Sequence, residues 1–250
     1  MKKVAFCFRG AVSKNETRNV APFSTENSLY KEGYTYVDFV KCRNSIFKFI
    51  VSTNPNYEFD FFCHCWNVDL ESDLKKLYDP KLILVEDNNH YAKEIRDNCN
   101  APEDFGGISQ SLSMRKSILL KEEYEKKHNF SYDIVILYRY DVLLWKELYL
   151  DTYPFTKDTI FVNKCFNGNG DFHFIMENHN SYVFKGLFDS IKLGNQHKCH
   201  FWIKNFIVNF CKKQIKEDNI LCGKHQEVIR KIKKCSINKG YLSQKEYDDI

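Results

Sequence analysis

The sequence predicts an α/β fold, a mostly parallel sheet flanked by helices and followed by a helical C-terminal segment. Three observations carry this. Short runs of strand-forming apolar residues recur from Val4 to Phe8, Phe59 to Cys63, Leu82 to Val85 and Ile134 to Leu137. The stretches between them carry apolar residues at helical spacing. The resulting order of alternating strands and helices demands crossover connections, and crossovers join parallel strands.

The elements follow in order. Val4 to Phe8 reads as a fully buried strand ending at Arg9-Gly10. Residues from Ala11 to Lys31 are polar, with Pro22, and read as a long loop of the kind that carries function. Tyr34 to Val51 reads as a helix, because Val37, Val40, Ile46, Phe47 and Ile50 recur on one side, and Asn54-Pro55-Asn56 stops it. A second strand runs from Phe59 to Cys63 into His64, Cys65 and Trp66; a short helix follows from Asp69 to Tyr78, closed by Asp79-Pro80. The third strand ends at Glu86-Asp87. Ile108 to Asn129 reads as a long amphipathic helix, opened by Gly106-Gly107-Ile108-Ser109-Gln110 with Ser109 as its cap. The fourth strand follows at once. Later strands are expected from Thr159 to Val162 and Phe172 to Met176, separated by the turn cluster Asn167-Gly168-Asn169-Gly170. Helices from His179 to Ile191 and from Phe201 to Lys234 complete the chain.

Composition bounds the function. The 250 residues, 43% hydrophobic, suffice for one core, so a single domain over 1–250 is expected, with an α/β core over 1–195 and a helical segment over 196–250. A net charge of +4, with lysines spread along the chain and no basic-aromatic stripe, argues against a nucleic-acid partner. No transmembrane segment is visible, and the apolar run after Lys2-Lys3 is too short for a secretory signal, so a cytoplasmic location is expected. Ten cysteines without a Cys-x-x-Cys pair read as free thiols rather than a zinc ribbon. In a strand Cys63 and Cys65 share one face and His64 takes the other, so Cys63-His64-Cys65 reads as buried thiols rather than a metal cluster. His197 and His200 beside Cys199 read as surface histidines.

The chemistry gathers at strand ends. In a parallel sheet, Arg9-Gly10, His64 with Trp66, Glu86-Asp87 and Arg139 with Asp141 all arrive at one edge, where open α/β sheets bind ligands. Arginines, an aromatic wall and carboxylates together suit a nucleoside diphosphate, with a metal on the carboxylate. The plain alternative at each position is an ion pair or core residue that merely ends a strand. Dinucleotide, Walker-type and nucleophile-elbow fingerprints are absent. Asp171, after the glycine turn, is a further strand-edge carboxylate.

The ordered set Phe8-Arg9-Gly10, Phe59-Asp-Phe-Phe-Cys-His-Cys-Trp66, Leu77 to Glu86, Ser109 to Lys116, Tyr132 to Asp141 and Gly170 to Ile175 resembles bacterial and large-virus sugar transferases of capsule, lipopolysaccharide and viral glycan pathways. It spans roughly three quarters of the chain. The resemblance implies a GT-A-like glycosyltransferase using a nucleotide-sugar donor and a glycan, lipid-linked or glycoprotein acceptor. It places Phe8, Arg9, Gly10, His64, Trp66, Gln110, Ser113 and Arg139 around the donor nucleotide, and gives Asp141 and Asp171 catalytic roles. Asp141 would hold Mn²⁺ or Mg²⁺. The family's Asp-x-Asp is Arg139-x-Asp141 here, so Arg139 is a competing source of positive charge. A nucleotidyltransferase or phosphohydrolase on the same kind of sheet, and a non-catalytic glycan- or nucleotide-binding module, are the alternatives.

Overall fold

The structure, a computed structural model, describes residues 1–12, 39–99, 104–165, 168–191, 199–218, 226–228, 243, 245, 247, 249 and 250. The expected loop beyond Val12, the start of the helix at Tyr34, Asn167 and His197 lie outside them.

Strands β1 (Lys2–Arg9), β2 (Tyr57–Cys65), β3 (Leu82–Val85) and β4 (Ile134–Arg139) pair in parallel in the order β3-β2-β1-β4. Strands buried on both faces need apolar residues at every position, which is why β1 and β4 read as unbroken apolar runs. Helices α1 (Phe39–Ile46) and α2 (Glu71–Tyr78) cover one face; α3 (Ala92–Asp97), α4 (Asp104–His128), α5 (Val183–Ile191) and α6 (Cys199–Asn205) cover the other. Alternation sorts each strand between them. Val4, Phe6 and Phe8 pack with Ile46, Ile50, Leu74 and Tyr78, whereas Ala5 and Cys7 pack with Leu112 and Ile118 of α4.

The local signals act where the sequence puts them. After α1 the chain makes a π turn (Phe47–Val51), and Asn54 closes it. The Asn54 amide donates to the carbonyls of Ile50 (2.6 Å) and Leu148 (2.7 Å) and accepts from the N–H of Leu150 (2.7 Å). Helix α2 ends at Asp79 in the left-handed region, φ 43°, whose N–H donates to Lys75. Cys7, Cys42, Cys63 and Cys65 are buried thiols. Burial pushes the Cys7 thiol up to about 12, so it packs as a small apolar group.

The mostly parallel sheet is as expected, and three features refine or correct its details. Strand β7 (Gly168–Glu177) runs antiparallel to β4 and to β6 (Thr159–Cys165), so the sheet is mixed with one reversed strand. The expected turn cluster is itself strand from Gly168 onward, and the short separation between Cys165 and Gly168 leaves no room for a crossover, so β6 and β7 pair antiparallel. The C-terminal segment is not continuously helical. Helix α6 and a π turn (Phe206–Phe210) give way to β8 (Gln214–Asp218), which pairs in parallel with β6 and completes the seven-stranded sheet β3-β2-β1-β4-β7-β6-β8. Beyond it, β9 (Gln226–Val228) pairs antiparallel with β5 (Val142–Leu144). As an edge strand β8 is mostly exposed, so its polar sequence lacks the apolar run that marks an inner strand. Finally, α4 begins at Asp104, which puts Gly106 to Ser109 inside the helix rather than at its opening. Ser109 donates to the side chain of Asn88 (3.3 Å) and is not a cap.

Candidate functional site

The chain lays down β1, β2 and β3 in one direction across the sheet and returns to the other side of β1 as β4. The gap between the carboxyl ends of β1 and β4 is therefore the switch point of the sheet, the place where α/β folds open a ligand crevice. The last residues of the two strands there are Arg9 and Arg139, paired across the ladder. Alternation turns both toward the α4 side, with Ala5 and Cys7 on β1 and Val135 and Leu137 on β4. Because β7 is reversed, its early residues reach the same edge, and Asp171 joins the two arginines.

Arg139 organises the cluster. Its Nε and one terminal nitrogen grip Asp141 in a two-pronged pair, at 2.8 and 2.9 Å. The other terminal nitrogen donates to Asp171 Oδ2 at 2.9 Å. Gln110 of α4 donates to the same oxygen at 2.6 Å, and Arg9 donates to the main-chain carbonyl of Asp171. Burial disfavours the Arg139 charge, but Asp141 and Asp171 outweigh it and hold its pKa above the usual value. Arg9, Asp141 and Asp171 are buried, while the Arg139 side chain keeps 19% of its surface exposed. A guanidinium has five N–H donors. Three are committed here, which leaves two.

A second network pins the neighbouring turn. Gly10 has φ 98°, a conformation open to glycine and strained for other residues. Its N–H donates to Ser113 Oγ (2.7 Å), and its carbonyl accepts from the N–H of Trp66 (3.2 Å). Ser113 Oγ also meets His64 Nδ1 at 2.7 Å, and His64 Nε2 meets Glu86 Oε1 at 3.2 Å. Lys116 (2.7 Å) and the Tyr91 hydroxyl complete the shell of Glu86. Burial raises the Glu86 pKa, yet hydrogen bonds from His64, Lys116 and Tyr91 overcome it and bring the pKa down to about 2. Burial lowers the His64 pKa against the opposing pull of Glu86, so the ring is neutral near pH 7. The proton positions follow. Ionised Glu86 only accepts, so Nε2 carries the hydrogen, Nδ1 accepts from the Ser113 hydroxyl, and that hydroxyl accepts from Gly10.

The aromatic wall stands beside this turn. Trp66 meets His64 edge-on at 4.4 Å and lies 5.7 Å from Tyr91. Its buried Nε1–H has no hydrogen-bond partner among the described residues.

Of the residues singled out in the sequence, Arg9, Gly10, His64, Trp66, Gln110, Ser113, Arg139, Asp141 and Asp171 thus converge on one edge. Phe8 does not bring its side chain there. Its ring stacks on Phe6 (4.7 Å) and Tyr140 (5.0 Å) in the opposite core. Glu86 was visible as a strand-end acid but not as a partner of His64; Tyr91 and Lys116 were not foreseen. The signal for the α4 contribution was the stripe Ser109, Ser113 and Ser117, three buried small polar residues four apart, which lets the helix approach the sheet.

The donor set does not fit a protein-held divalent cation. Mg²⁺ requires octahedral oxygen ligands. Here both oxygens of Asp141 accept from Arg139, and Asp171 Oδ2 accepts from Arg139 and Gln110. No group of three or more His, Cys, Asp or Glu residues placed to hold a metal occurs among the described residues. No helix among them is long and apolar enough to cross a membrane. Comparison with protein-family models and with curated protein sequences found no match for this chain.

Proposed function

We propose that the protein is a glycosyltransferase with a GT-A-like fold that moves a sugar from a nucleoside-diphosphate donor to a hydroxyl of a glycan or glycoconjugate. The observation that carries this reading is the pairing of Arg9 with Arg139 across the switch point of the sheet, beside the Trp66–Tyr91 aromatic pair. A diphosphate leaving group gathers negative charge as the glycosidic bond breaks, and fixed guanidinium donors stabilise that charge without reorganising. The two uncommitted N–H groups of Arg139 suit phosphate oxygens. The turn at Gly10, tied on both sides by Ser113 and Trp66, brings main chain close to the ligand where no side chain intervenes.

Asp171 serves as the base for the acceptor hydroxyl. Its Oδ2 is held by Arg139 and Gln110. A diphosphate that draws on Arg139 loosens that hold, and a carboxylate with less cationic support is the stronger base. Donor binding thus prepares the acceptor step. The location in this reading is the cytoplasm, where nucleotide sugars are made.

The test is a thermal-shift screen of nucleoside diphosphates and nucleotide sugars, followed by product analysis of the ligand that shifts most. A ligand that binds only the folded state raises the melting temperature by mass action. The expected result is a base-selective shift and release of a nucleoside diphosphate. Release of pyrophosphate would identify a nucleotidyltransferase instead, and binding without turnover would identify a recognition module.

A further inference from the structure

Resting on the donor-site reading above, we infer that Arg9 and Arg139 neutralise the donor diphosphate in place of a protein-held divalent cation, and that Asp141 is the residue that positions Arg139. The geometry at Asp141 carries this. A metal-binding carboxylate must offer lone pairs to the ion. Asp141 instead gives one oxygen to Arg139 Nε and the other to a terminal nitrogen, at 2.8 and 2.9 Å, a bidentate grip that fixes the plane of the guanidinium. A cation on those oxygens would stand against the Arg139 guanidinium and near that of Arg9, its cross-strand neighbour, and both would repel it. At Asp171 a cation would meet the same guanidinium, which donates to Oδ2 beside Gln110.

The same contacts explain why an arginine can stand in the first position of Arg139-x-Asp141. Residues two apart at the end of a strand point to one side. With two acids there, their charges would need an ion between them. With an arginine first, the pair is self-neutralising, and the guanidinium still has donors left to offer. Asp141 and Asp171 hold it in place. The cation at this switch point is part of the chain.

Calorimetry with nucleoside diphosphates, in excess EDTA and again in excess Mn²⁺, tests this. The expected result is a dissociation constant that agrees within about threefold between the two conditions. Arg139→Lys keeps the charge but loses the planar fork, and is expected to weaken diphosphate binding about tenfold or more in EDTA. Asp141→Asn keeps one acceptor oxygen for Arg139 and is expected to bind in EDTA more tightly than Asp141→Ala, a rescue that a metal-ligand role would not give. The electron paramagnetic resonance signal of free Mn²⁺ is expected to fall no further with protein and diphosphate together than with diphosphate alone. Binding that requires Mn²⁺, with a signal loss abolished in Asp141→Asn, would overturn the inference and leave the donor site standing. Absence of binding in both conditions would overturn the inference and the donor-site reading together.

Discussion

At the scale of single residues, the sequence reveals which side of the sheet a strand-end residue faces but not whom it meets. Arg9, His64 and Arg139 could be assigned to a common edge because each follows an apolar run. That Asp141 would be consumed by Arg139, or that Gly10 and His64 would share one hydroxyl, depends on angstrom-level approach of α4 to the sheet and is not written in spacing. Ser113 is the clearest case. It is fully buried and joins Gly10 to His64. Replacing it by alanine removes the acceptor of the Gly10 N–H and the donor to His64 Nδ1, leaving two buried polar groups unmet. Ser113→Ala is therefore expected to destabilise the protein by about 1–3 kcal/mol in urea unfolding, and to weaken ligand binding at the Gly10 turn. A change of only a few tenths of a kcal/mol would show that the bridge carries little.

At the scale of elements, the apolar strands were legible, the edge β3 among them, and the polar edge β8 was not. Strands β1 and β4 are apolar because they are buried, whereas β3 is a half-buried edge whose apolar run still bounds it at Leu82–Val85 in the sequence. Strand β8 is polar because it is an edge, so helix and strand patterns could not be told apart there. The direction of β7 follows from how closely it succeeds β6, although the glycines expected to turn the chain belong to β7 itself. That hairpin contains a contact that fixes its sequence. A Cβ on Gly170 would lie 1.8 Å from the amide nitrogen of Asn163, and the same amide accepts from the N–H of Phe172 (2.9 Å). Gly170→Ala must therefore expel Asn163 from a buried position and break its bond to Phe172, at an expected cost of about 1–3 kcal/mol. Asn163→Ala removes the obstruction beforehand. The double variant is then expected to be less destabilised than the sum of the two singles, and additivity in that cycle would disprove the clash.

At the scale of the whole molecule, stability and site are linked because the site's second network is buried between α4 and the sheet. The acid–base groups of that network make the link measurable. Glu86 falls from an ordinary 4.5 to about 2 in the folded protein, the result of opposing burial and hydrogen bonding. A depressed carboxylate contributes stability above its unfolded pKa and loses it as pH falls through the folded one, so this share disappears between about pH 4.5 and pH 2. His64 acts earlier. Its folded pKa lies below 6.5, so on acidification from pH 6.5 the unfolded chain takes up a proton before the folded one does, and stability declines. The two groups act in the same direction, His64 from near pH 6.5 downward and Glu86 from near pH 4.5. The melting temperature of the wild type is therefore expected to fall in two stages on acidification, the first beginning near pH 6.5. In His64→Gln, whose amide spans Ser113 and Glu86 without titrating, the first stage should be absent while the second persists, displaced toward that of an acid with one fewer hydrogen-bond donor of fixed orientation. Melting curves across this range decide it. A first stage of undiminished size in His64→Gln would assign the early loss to another group and detach His64 from the stability of the fold.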